Sequence, residues 1–149
     1  MKSINEISFN GKKVFIRVDF NVPFNDEGEI TDNSRIVAAL PTIEFVISSG
    51  GACILASHLG RPDGKNPELS LRKIIPELKK LLGEDVIFLE DSIGYQTKEI
   101  CSNLKKGQMV LLENLRYYKE ETKADVGFAK QLSALADIRV YPSGFSTLL

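Results

Sequence analysis

Short apolar runs that alternate with stretches of helical spacing constrain this chain more than any other feature. Val14-Phe-Ile-Arg-Val18, Ala52 to Ser57, Val86-Ile-Phe-Leu89 and Met109-Val-Leu-Leu112 are each too short for a helix and rich in residues that favour strands. Each ends in a polar cluster, the mark of a buried strand running into a loop. Asn25-Asp-Glu-Gly28 is a turn signal between extended pieces, and Asp32, Asn33 and Ser34 offer N-caps for a helix from Arg35. Pro41 lacks an amide hydrogen and holds φ near the helical value. The spacing predicts a restart there, with the proline in the first turn of a helix that runs to Ser49 before Gly50-Gly51. A polar loop from His58 to Ser70 leads to a helix over Leu71 to Leu82 with Gly83 as its C-cap, and Thr97 to Leu104 reads as another helix. Phe128, Ala129, Leu132, Leu135 and Ala136 recur at helical spacing within Ala124 to Ala136, and Ile138 to Tyr141 supplies a fifth strand. Strands separated by helices imply a parallel sheet. The predicted architecture is a doubly wound, Rossmann-like α/β sheet flanked by helices.

The chain has 149 residues, 43% of them hydrophobic, which suits one domain burying about two-thirds of its unfolded surface. A formal charge of −1 gives no attraction to nucleic acid or to an anionic membrane, so any basic site is local. The opening MKSINEISFNGKK has no apolar core of the length a secretory signal needs, and no run approaches the roughly 20 residues of a membrane span. Cys53 lies in an apolar run and Cys101 in a helical stretch, so both read as small buried hydrophobes in a reducing, cytoplasmic setting.

In open α/β sheets ligands bind outside the carboxyl ends of the strands, so the residues just after each strand are the first candidates. Asp19 and Asn21 follow the first strand, Ser57, His58, Gly60 and Arg61 the second, and Glu113, Asn114 and Arg116 the fourth. If these strands are neighbours, Arg35, His58, Arg61 and Arg116 converge on one crevice suited to phosphate or carboxylate. Each residue also has a plain reading. A lone loop histidine is by default solvated, arginines are usually surface ion-pair partners, and Asp19 and Asn21 are ordinary turn formers. The shared location at strand ends favours the functional reading, because structural accidents would scatter over both margins of the sheet. Gly60-Arg-Pro-Asp-Gly64-Lys65 is one residue short of a P-loop, and Asn66 stands where that motif needs Ser or Thr. No G-x-G-x-x-G follows a strand, and there is neither a zinc-ligand spacing nor a nucleophile elbow. Glu120-Glu121 reads as solvated surface.

Arg17-Val-Asp-Phe-Asn-Val-Pro23, Arg35 after its capping cluster, Ser57-His-Leu-Gly-Arg-Pro62 and Leu112-Glu-Asn-Leu-Arg116 resemble phosphoglycerate kinase, in that family's order and approximate spacing. The resemblance covers residues 1 to 137, the amino-terminal substrate-binding part of a family member more than twice as long. By that resemblance His58, Arg61 and Arg116 hold the phosphate of 3-phosphoglycerate, and Asp19 and Asn21 meet its hydroxyl and carboxyl end. Arg35 is then the catalytic group, nearest the carboxylate that becomes phosphorylated. The Mg-ATP or Mg-ADP of the complete enzyme would be held by a second domain, so no cofactor or metal ligand is expected in these residues. Residues 138–149 do not match the family's continuing Asn-Asp-Ala-Phe-Gly segment, and Arg139 is not assigned the role of the further arginine that follows it. This reading makes the domain incomplete, inactive alone, and prone to self-association through an open edge. The other reading is a non-catalytic anion-binding or regulatory module.

Overall fold

The computed structural model describes residues 2–3, 7–123, 125–141 and 146–148. Among the described residues seven strands form one sheet: β1 (Lys2–Ser3), β2 (Lys13–Arg17), β3 (Ala52–Ala56), β4 (Ile87–Leu89), β5 (Met109–Leu112), β6 (Ile138–Tyr141) and β7 (Ser146–Leu148). Their spatial order is β1-β7-β6-β2-β3-β5-β4, and the five from β6 to β4 are parallel. All of β3 and β5 is buried, as their uninterrupted apolar runs require of strands covered on both faces.

Alternation along the strands divides the core into two. Val14, Ile16, Cys53, Leu55, Met109 and Leu111 face one side, where α1 (Ser34–Ser48) and α2 (Ile75–Leu82) cover them with Ile36, Ile43, Val46 and Leu78. Phe15, Ile54, Ala56, Val110 and Leu112 face the other, against Cys101 of α3 (Tyr95–Ser102) and Phe128 and Leu132 of α5 (Val126–Ser133). A one-turn helix, α4 (Lys119–Thr122), precedes α5. The sheet is therefore doubly wound, as expected. Both cysteines are buried and free, and burial pushes their thiols up, Cys101 to about 11.

Three local expectations are corrected. No restart occurs at Pro41: α1 runs through it, because Pro41 and Val37 lie on the exposed face, where water can serve the Val37 carbonyl that the proline leaves without a partner. The helix expected from Leu71 opens instead as a 3₁₀ turn, Leu71–Ile74, and becomes α-helical only at Ile75. Pro76 has no amide hydrogen to donate to Arg72, whose carbonyl takes the Ile75 amide. Gly83 does cap this helix, at φ 69° with its amide on the Lys79 carbonyl at 2.8 Å. The open edge expected beside the fifth strand is also absent, since β7 pairs antiparallel with β6 and β1 with β7. The sheet margins are the two-residue β1 and three-residue β4, short templates for pairing with a second copy. Met109–Leu112 and Ile138–Tyr141 have the expected bounds, the other boundaries differ by a few residues, and Ala124 lies outside the described residues.

Candidate functional site

Strand order creates the site. β3 and β5 are neighbours, but the chain leaves β3 towards α2 on one face and leaves β5 towards α5 on the other. Such a divergence opens a crevice at the carboxyl ends, between the loop that carries His58 and Arg61 and the loop that carries Arg116. β2 flanks β3 on its other side and adds Asp19 and Asn21.

Side-chain hydrogen bonds fasten the three loops together. Ser57 is fully buried, and its hydroxyl accepts the Phe20 amide at 2.9 Å and donates to the His58 carbonyl at 3.0 Å. The Asn21 side-chain oxygen accepts the Gly60 amide at 2.9 Å, and the Gly60 carbonyl accepts Arg116 Nη1 at 3.3 Å. Gly60 thus links the β2 loop to the β5 loop through its own backbone. Its φ of +61° favours glycine, and a Cβ would stand 2.9 Å from Leu69 Cδ2.

Asn114 is the central brace and is fully buried. Its oxygen accepts the amides of Leu59 (3.2 Å) and Arg116 (3.0 Å), and its nitrogen donates to the carbonyls of Leu59 and Leu69, both at 2.8 Å. Glu113 is buried beside it and accepts the amides of Leu71 and Asn114 and the Ser70 hydroxyl. Both carboxylate oxygens are occupied, so Glu113 holds the loop after β3 and is not free to act on a ligand.

Four of the six expected residues, Asp19, Asn21, Arg35 and Arg116, are linked by hydrogen bonds. Arg35 Nη1 donates to the Asn21 carbonyl at 2.8 Å and lies 3.4 Å from Asp19 Oδ1, which also accepts the Asn21 amide. Asn21 joins this group to Arg116 through Gly60. His58 is half-buried, and its imidazolium is disfavoured first by burial and then by Arg116 and Arg17, against smaller opposing effects of Asp19 and Glu121. Arg61 is exposed and makes no ion pair among the described residues. It follows Gly60 in the chain, and among the described residues no hydrogen bond or ion pair ties it to the others.

Two residues escaped the strand-end rule. Arg17 lies inside β2, not after it, and its guanidinium meets Glu121 of α4. Glu121 is therefore not solvated surface, because α4 lays its carboxylate over the carboxyl end of β2, with the side chain only 17% exposed. The interrupting arginine in an otherwise apolar strand was the available signal.

Hydrogen bonds hold Arg35 and Arg116 on loops that meet at Gly60, with His58 and Arg61 on the loop between them. Ser57, the hydroxyl nearest His58 in sequence, is committed at both donor and acceptor and is held by the histidine's backbone, not its ring. Binding and orienting an anion is what this chemistry supports.

The phosphoglycerate kinase family model matches residues 4–148. The chain belongs to the phosphoglycerate kinase family. It is 47% identical over 138 residues to the cytosolic phosphoglycerate kinase 3 of Arabidopsis thaliana, covering 93% of this chain and 34% of that protein. It is 50% identical over 131 residues to the phosphoglycerate kinase of Porphyromonas gingivalis, covering 88% and 31%. The crystal structure of phosphoglycerate kinase from Pyrococcus horikoshii superposes with a TM-score of 0.84 at 32% identity, over 95% of this chain and 36% of that one. The chain thus spans about a third of the length of the curated phosphoglycerate kinases it matches.

Proposed function

We propose that these residues form the 3-phosphoglycerate-binding part of a phosphoglycerate kinase, which moves a phosphoryl group reversibly between 1,3-bisphosphoglycerate and ADP. The observation that carries this reading is the joining of the β2, β3 and β5 loops at Gly60, which gathers donors from three strands on one crevice. His58, Arg61 and Arg116 take the phosphate, and Asp19 and Asn21 meet the hydroxyl and carboxyl end. Arg35 stands by the reacting carboxylate, where a guanidinium stabilises charge spread over the transferring group. The protein supplies position and electrostatics without a covalent intermediate.

The nucleotide and its magnesium do not fit these residues. Among the described residues no group of three or more His, Cys, Asp or Glu side chains is placed to hold a metal ion, and no glycine-rich phosphate loop follows a strand. The 149-residue chain alone is expected to show no turnover. The compartment is proposed to be the cytoplasm; among the described residues no helix is long and apolar enough to cross a membrane, and the relatives include cytosolic and chloroplastic proteins.

The test is titration of the chain with 3-phosphoglycerate and with inorganic phosphate at low and high salt, followed by NMR at His58. Saturable, salt-sensitive shifts are expected with both. Arg116→Ala should weaken both by about tenfold or more, the loss of a charge-assisted hydrogen bond, and Arg61→Ala should act in the same direction. Arg35→Ala should matter far less for phosphate. No saturable shift in the folded wild type, or unchanged binding by Arg116→Ala, would show the assignment to be wrong. Binding of phosphate without preference for 3-phosphoglycerate would favour the non-catalytic module.

A further inference from the structure

Arg17 closes β2 on the α3 and α5 side of the sheet, the side to which Phe15 points, while Val14, Ile16 and Val18 face α1. Its register partner is Ala56, two residues before His58. The guanidinium therefore stands at the end of the strand next to the loop that carries the proposed phosphate ligands, 33% exposed. The electrostatic influence of both Arg17 and Glu121 on the His58 ring supports this proximity.

Glu121 Oε1 takes Arg17 Nη2 at 2.5 Å. The element that carries it has little stability of its own, since α4 is a single four-residue turn with Lys119 and Glu120 exposed. Tyr118 anchors its start, with the hydroxyl accepting the Ser92 amide and the ring 5.1 Å from that of Phe128. Beyond Tyr118, the Arg17 ion pair is the charged tie between this turn and the sheet. Glu120, Asp125 and Arg139 line the same small crevice, but Asp125 caps α5 through the Phe128 amide and Arg139 donates to the Ser133 hydroxyl at 3.0 Å.

We propose that Glu121 is a built-in competitor for the anion site, its carboxylate holding the Arg17 guanidinium that a phosphate-bearing ligand must take over to bind fully. The inference rests on the anion-site reading given above. A phosphate dianion outcompetes a single carboxylate for a guanidinium more readily than another carboxylate does, so Glu121 favours phosphate-bearing ligands over simple carboxylic acids. Transfer of Arg17 to the ligand also frees α4, linking occupancy of the crevice to the mobility of one turn.

The experiment measures inorganic phosphate affinity at fixed low ionic strength for wild type, Glu121→Gln, Arg17→Ala, the double variant and Glu120→Gln. Glu120→Gln makes the same charge change in the same crevice without breaking the pair. Glu121→Gln should bind roughly three- to fivefold more tightly, the upper part of the range for a partly exposed ion pair. Glu120→Gln should change affinity by less, and in the Arg17→Ala background Glu121→Gln should give no gain. Amide exchange across α4 should quicken when wild type is saturated with phosphate. An unchanged or weaker Glu121→Gln, an equal gain in Glu120→Gln, or a gain that survives Arg17→Ala overturns the competitor role while leaving the anion site intact. A folded wild type that binds no phosphate overturns the site itself, and the competition with it.

Discussion

Replacing Asn114 by alanine removes four hydrogen bonds from a fully buried position and leaves the backbone they served in place. The Leu69 carbonyl and Arg116 amide are only partly buried, so water can replace the lost side chain there. The Leu59 amide and carbonyl are buried and have no such relief. A buried backbone group left without a partner costs about 1–3 kcal/mol, so the two at Leu59 set the loss at about 2–4 kcal/mol once partial relaxation is allowed. Against a typical total of about 5–15 kcal/mol this is a large share. With a urea slope of about 2 kcal/mol per molar, the unfolding midpoint should fall by roughly 1–2 M. Phosphate binding by the still-folded variant should weaken as well, because Leu59 separates His58 from Gly60 and its anchoring sets both. Urea unfolding followed by circular dichroism, with phosphate titration at low temperature, reads both quantities. A midpoint shift below about 0.3 M with an unchanged slope would refute the claim that Asn114 braces the loops.

The His58 ring should titrate below its usual 6.5, since burial, then Arg116 and Arg17, favour the neutral form. The unfolded chain binds that proton more readily, so the stability contributed by neutral His58 is complete above the unfolded value and is lost as pH falls through the folded one. NMR titration should show the low midpoint, with Arg116→Ala moving it up; a midpoint at or above 6.5 would contradict the placement. Pro41→Ala should stabilise the chain by about 1 kcal/mol, because it supplies an amide hydrogen to the Val37 carbonyl and removes a helix-interior proline, offset in part by a freer unfolded chain. A lower urea midpoint for that variant would mean that the proline serves some other packing role.

The five parallel strands were legible because each holds an apolar run that needs no distant information to recognise, and Ile138 to Tyr141 was found with its observed bounds; β1 and β7 have no such run and were not read as strands. Polar residues crowding the ends of such runs were equally legible, which is why Asp19, Asn21, His58 and Arg116 could be singled out. Helix interiors were harder. Pro41 reads as a break in any local window, and only its position on the exposed face of α1 shows why the helix tolerates it.

What the sequence by itself determined was the five central strands and their main helices, the parallel sense of those five and the residue types that stand at strand ends, all consequences of local pattern and chain connectivity. It did not determine that β5 lies between β3 and β4, because strand order depends on how side chains from distant segments pack on the two faces of the sheet. That order puts the loops after β3 and β5 side by side and lets buried Asn114 reach across 55 positions of chain to Leu59. It also separates Glu121 from Glu120, two adjacent acidic residues of which the first is laid on Arg17 and the second turned to water. A one-dimensional string carries charge and periodicity, but the direction in which a side chain leaves a docked turn exists only once the turn is docked.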